Sequence, residues 1–455
     1  MKNKLYIMLL STILLGTSSC KKYLNAKSDA SLVTPEKLAD FSALLDNQNI
    51  MNLRITPCFQ ETSSDDYFLL PSTYRSFPEG QQKYYQWEPY YYNFSNDWSK
   101  GYQAIFNSNL CLEGLAKIPE TNVNTLELAR IKGSAYFYRS FYMTGLLWNH
   151  AKAYDAATAE KDLGIVLKLN SDINENSVRA SVAQCYQQVL KDVLSAIRLL
   201  PNYEQSSLRP SKVAAYALAA RIYMSMRDYP KMYSYADSSL MLKNSLIDYN
   251  GDADINGNIS GTVPFKKFNK ETIFYTEMNS SFALHVPSRA KIDTILYATY
   301  ESHDLRKTAF FRANSGYQQF KGSYASSPAL LFSGIGVDEV LLMHAEGHAR
   351  AGRIAEAMKD LNTLLIKRYN KNFPYVPVTA ASQEITLNRI LLERRKELIM
   401  RGLRWIDIKR LNKEGFNIIP KRKTALKEFM LSPNDPYYAL PLPYDLIELT
   451  GMQQN

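Results

Sequence analysis

The sequence predicts a mainly α fold, a tetratricopeptide-like helical-repeat scaffold with an irregular, loop-rich insertion that contains a few short strands. Three observations predict it. Apolar residues recur at helical spacing over residues 101–148, 178–243 and 338–412. Within two of these stretches the spacing approaches that of a tetratricopeptide repeat: Tyr216, Ala220, Tyr223, Asp228, Tyr229, Met232, Ala236 and Leu240 form one copy, and Leu341, Ala345, His348, Gly352, Ile354, Ala357, Leu361 and Leu364 the other. Between the copies, residues 248–333 carry Gly251, Gly257, Gly261 and Pro264, short extended-looking runs such as Thr272 to Glu277, and no long apolar stripe. Copies this far apart cannot stack through adjacency in sequence, so the helix pairs are expected to meet around the insertion.

Composition narrows the partners. The chain has 455 residues, of which 46% are apolar, enough for a sizeable core. Its net charge of +10 is scattered singly and in pairs, without a run or a basic helix face, which argues against nucleic acid. Tyrosine is abundant: 32 residues, beside 19 Phe and 4 Trp, supply rings with an apolar face and, for tyrosine, a polar tip.

At the N-terminus, Lys2 and Lys4 precede an apolar run from Leu5 to Leu15, followed by Gly16, Thr17, Ser18, Ser19 and Cys20. The run is too short to span a bilayer and sits where a secretory signal belongs. Small residues before a cysteine resemble a bacterial lipoprotein cleavage site, so residues 1–19 are read as a signal peptide and Cys20 as the acylated first residue of a single domain, 20–455. Cys58, Cys111 and Cys185 remain, an odd number without metal-like spacing, and read as buried thiols.

Thr34 and Pro35 read as a helix cap and first position, with Leu38, Phe41 and Leu45 behind them. Residues 61–98 are too rich in Pro, Ser, Gly and aromatic residues to form one helix. From Tyr102 to Trp148 helical periodicity returns as two halves of an antiparallel hairpin. Ser181 with Gln184 makes a capping box, and Pro201 ends the helix it starts. Further on, Leu387, Leu391 and Leu398 mark a helix stopped by Gly402. Trp405, Ile408 and Leu411 then start a second one. The charged residues between them read as an ion-pair lattice joining the two helices. Pro433 to Pro436 is a turn, and Tyr438 to Pro443 an extended, proline-punctuated segment.

Glu393, Arg394, Arg395, Glu397 and Leu398, followed by Gly402, Arg404, Trp405 and Asp407, resemble the late signature of the SusD/RagB family of outer-membrane nutrient-binding lipoproteins of Bacteroidetes. Cys20 to Leu24 and the proline segment near the C-terminus match the same family. The resemblance implies a SusD-like fold anchored in the outer membrane and facing the cell exterior. It also implies capture of an oligosaccharide or polysaccharide, and a SusC-like, TonB-dependent barrel as the partner that receives it. It implies no enzyme activity, and it carries over no ligand-contacting residue.

Residues 61–98 supply the groups a glycan needs, aromatic faces for sugar C–H surfaces and polar partners for hydroxyls. The candidate platform is Trp87, Tyr90, Tyr91, Tyr92 and Trp98, with Asp65, Asp66, Asn93 and Asn96 as polar partners. The plainer alternative is that the rings pack the loop onto the helices. A scaffold binding a protein or peptide in its groove is the competing function. His344 and His348 share a helix face, but Glu346 is wrongly placed for a zinc-protease motif, and both rings read as core. Asp252, Asp254, Asn256 and Gly257 open like a calcium loop, yet Val263 stands where the closing glutamate belongs, so no cofactor is assigned. Glu61, Asp65, Asp66 and Asp97 offer carboxyl groups without a separation that sequence can define for glycoside hydrolysis.

Overall fold

In the computed structural model, which describes residues 35–92, 96–119, 124–280 and 283–455, the apolar stripes become helices that pack each on the next. Helix α1 (Leu38–Leu45) buries Phe41 and Leu45. It begins later than Pro35, because the Asp40 carboxylate reaches back to accept from the backbone N–H groups of Glu36 and Lys37, which fixes the first turn at Leu38. Thr34 and Cys20 lie outside the described residues. Short helices α2 (Phe59–Ser63) and α3 (Glu79–Tyr85) flank strand β1 (Tyr67–Phe68). The long hairpin α4 (Asp97–Leu115) and α5 (Thr125–His150) follows, then α6 (Val182–Leu199), whose Ser181–Gln184 capping box is formed as expected.

The two repeat copies are helix pairs, α7 (Lys212–Met226) with α8 (Tyr229–Leu242), and α9 (Val337–Arg350) with α10 (Ile354–Leu365). Helix α8 packs directly on α9, so the segment between them is looped out and the copies meet across it. Gly352 turns α9 into α10 with φ +74°, a conformation that L side chains adopt only under strain. Gly347 matters for a different reason: a Cβ there would lie 2.7 Å from the Tyr233 Cβ, so its absence allows α8 and α9 to approach. Then come α11 (Gln383–Glu397) and α12 (Arg404–Asn412), the second buried from Trp405 to Asn412.

Helix α11 ends at Glu397, short of Arg401, because Leu398, Ile399 and Met400 turn into the core. Gly402, φ +75°, then redirects the chain, with its N–H donating to the Glu61 carboxylate at 2.8 Å. The expected lattice is present and buried. Asp407 accepts from Arg394 (2.9 Å) and Arg410 (2.8 Å), while Arg410 also pairs with Glu346 on α9 at 2.6 Å.

Strands occur in two-stranded pairs among the described residues, as expected for the insertion. Strand β1 pairs antiparallel with β2 (Lys291–Ile292), aligning Tyr67 with Ile292 and Phe68 with Lys291. A hairpin of β3 (Phe311–Asn314) and β4 (Tyr317–Phe320) turns at Ser315 and Gly316, both at positive φ, the geometry that a two-residue hairpin requires. Cys58, Cys111 and Cys185 are buried thiols, as expected. No helix among the described residues is long and apolar enough to cross a membrane.

Candidate functional site

The aromatic segment 61–98 divides into rings that hold the fold and rings that face solvent. Helices α2 and α3 are too short to stabilise themselves, so large side chains fill the space around them. Trp87 is buried, with its indole N–H donating to the Ser63 carbonyl at 3.0 Å and the Arg422 guanidinium 4.6 Å from its ring centre. Tyr92 is buried and donates its hydroxyl proton to the Pro441 carbonyl. Trp98 packs against Tyr102 and His150. Asn96 caps α4, its side-chain oxygen accepting from the Trp98 and Ser99 N–H groups.

The carboxylates are equally engaged. Asp65 accepts a two-pronged contact from Arg404 (2.7 and 3.0 Å), and Asp66 accepts from Arg395 at 3.0 Å. Burial opposes the Asp65 charge, but Arg395 and Arg404 override it and hold the group below its ordinary range. Asp66 has burial and the neighbouring Asp65 charge against it and, despite Arg395, sits at about 6. Glu61 is pushed up to about 8, first by burial and then by Asp66. Asp97 accepts from the N–H groups of Cys58 and Phe59, both at 2.7 Å, and from the Asn149 and Asn279 amides. These acids join α2 to α4 and α12.

Two of the predicted rings reach the surface. Tyr91 is 68% exposed and meets Tyr444 edge-on with ring centres 5.0 Å apart. Tyr444 opens helix α13 (Tyr444–Thr450), and Tyr90 is half-buried, stacked on Tyr92 with ring centres 6.2 Å apart and lying against Gly80. Asn93 lies outside the described residues.

A second accessible pair went unpredicted. Phe68 on β1 and Tyr317 at the tip of the β3–β4 hairpin meet edge-on at 5.1 Å, and nearby the exposed Arg289 lies over the Phe77 ring at 5.0 Å. Arg312 on the same hairpin is exposed, while the Asn314 amide ties the hairpin to the Ser288 carbonyl at 3.3 Å. The loops 61–98 and 248–333 thus make one surface, joined by the β1–β2 pair. The sequence signal for it was the Asn314–Ser315–Gly316–Tyr317 turn with an aromatic rim.

The calcium-like turn closes on protein donors. Asp252 accepts from the Lys270 ammonium at 2.8 Å, and Asp254 from the Lys270 backbone N–H. The Asn256 amide donates to the carbonyls of Val263 and Phe265.

Comparison with known proteins agrees with this architecture. Residues 22–224 match a SusD-like family described as starch-binding and associating with the outer membrane, and residues 221–449, half of the chain, match the SusD family. The fold is similar to that of a SusD superfamily protein from Bacteroides thetaiotaomicron, at 21% identity and TM-score 0.73, over 92% of this chain and 99% of the other. It is also similar to a SusD-like carbohydrate binding protein from Bacteroides vulgatus, at 19% identity and TM-score 0.70, over 91% and 97%. A laminarin binding SusD-like protein shares the fold at 19% identity and TM-score 0.63, over 92% and 98%. A search of curated proteins returned no match. Matched by these two families over residues 22–449, and built on the same helical scaffold, the chain belongs to the SusD family.

Proposed function

We propose that the protein is a cell-surface lipoprotein, anchored in the outer membrane at Cys20, that captures an oligosaccharide or polysaccharide and delivers it to a SusC-like TonB-dependent transporter. It works by binding, without turnover. The single observation that carries the reading is the loop surface itself. Two segments more than 200 residues apart are joined by β1–β2 and present paired rings, Phe68 with Tyr317, beside the exposed side chains of Arg289 and Arg312. Tyr91 with Tyr444 adds a second exposed pair. Ring faces supply contact for sugar C–H surfaces, and guanidinium donors replace water at hydroxyls. Similarity to carbohydrate-binding and laminarin-binding SusD-like proteins supports the ligand class.

The test is binding of the full-length chain, purified in detergent, to a panel of polysaccharides and their oligosaccharides, with Tyr317→Ala and Tyr91→Ala alongside. Saturable binding to one glycan, weakened by either substitution, is the expected result. Absence of binding across the panel, both alone and in the complex isolated with its barrel partner, would overturn it.

A further inference from the structure

The fold brings together a group that the sequence had separated. His344 and His348 lie one turn apart on α9, and Asp360 reaches them from α10. One ligand atom from each lies within 4.8 Å of the others. The Asp360 Oδ2 is 2.6 Å from the His344 Nδ1 and 3.9 Å from the His348 Nε2. Ligand atoms around a tetrahedral zinc ion bound at 2.0–2.2 Å stand roughly 3.4 Å apart, so these separations bracket what such an ion needs.

The surroundings fit a metal at that point. Tyr233 of α8 stacks on the His344 ring at 4.6 Å and 19°, fixing its plane. The other nitrogen of that ring, Nε2, is buried without a hydrogen bond and faces the Asp237 Oδ1 at 3.6 Å. That carboxylate stands where a metal-bound histidine needs an acceptor for its remaining N–H. All three ligand side chains are largely buried, at 10–17% exposure, so the site keeps a path to solvent without lying open.

We propose that His344, His348 and Asp360 form a site for a divalent transition metal of the zinc class, with Asp237 orienting His344. Two imidazoles and one carboxylate suit zinc rather than calcium or magnesium, which take oxygen ligands. The site joins α8, α9 and α10, the helices at the junction of the two repeat copies. Arg353 competes with the ion: its Nε–H donates to the His348 Nδ1 at 2.7 Å, a contact that must break when the Nε2 of that ring binds metal.

The full-length chain, stripped of metal and titrated with zinc chloride against a chromophoric chelator, is the test. One equivalent is expected to bind. Asp237→Asn weakens it by about tenfold, and His344→Ala, His348→Ala or Asp360→Asn by more. Arg353→Ala is expected to tighten binding, since no competing contact to the His348 Nδ1 then has to break, and weaker binding in this variant would count against the site. Circular dichroism of each variant separates ligand loss from unfolding, and His348→Gln replaces any alanine variant that fails to fold. Cobalt substituted for zinc is expected to give the intense visible bands of a four-coordinate ion. Binding no tighter than the order of millimolar, or binding indifferent to the two histidines, would overturn the proposal.

Discussion

Trp87 and Tyr91 stand four residues apart in one aromatic run, and burial separates their roles. Trp87 is 6% exposed, and its removal opens a cavity that the short helices around it cannot close. Trp87→Ala is expected to cost about 3–5 kcal/mol of stability, read from chemical denaturation. Tyr91→Ala is expected to leave the denaturation midpoint unchanged and to weaken glycan binding instead. Glu61 makes a pH prediction. Its carboxyl titrates near 8 in the folded chain, against an ordinary value of 4.5. Across that window the folded chain keeps a proton that the unfolded chain has released, so stability falls as pH rises. Glu61→Gln, which is neutral throughout, should flatten this fall when denaturation midpoints at about pH 5 and about pH 8 are compared.

Helices are held here by their ends and by buried charges as much as by stripes. Asn96 accepts from two N–H groups at the start of α4, and Asn96→Ala should cost about 1 kcal/mol through the lost cap. The α9–α12 contact rests on Arg410 and Glu346. Burial alone would raise the Glu346 carboxyl, but Arg410 and Arg350 bring it to about 2. Arg410→Ala leaves this buried charge with Arg350 alone and should cost about 3–5 kcal/mol, again by denaturation. Gly347→Ala would force Tyr233 off the α9 surface, costing about 1–3 kcal/mol in stability.

Over the whole molecule, the helical repeats provide a rigid stack and the looped-out insertion returns to meet residues 61–98. Function is expected on this surface, since loops carried by a scaffold can vary without disturbing its packing. Cys20→Ser should abolish incorporation of labelled fatty acid and release the protein from the outer-membrane fraction, while glycan binding by the released chain persists.

The sequence by itself determined the long helices, the repeat spacing, the capping box at Ser181, the Gly402 redirection and the charged composition of α11 and α12. The helices, the capping box and the Gly402 turn depend on residues within a turn or two of one another, where periodicity and capping act directly, whereas lattice partners such as Arg410 and Glu346 are brought together by packing. Only the tertiary structure decided which rings are buried and which face solvent. Trp87 faces Arg422 and Ser63, Phe68 faces Tyr317, and the histidines of α9 face Asp360 and Asp237. Aromatic residues serve a core and a sugar platform through the same chemistry, so composition alone cannot divide them. The division comes from contacts between residues up to several hundred positions apart, set by how helices and insertion pack, and no local pattern encodes that.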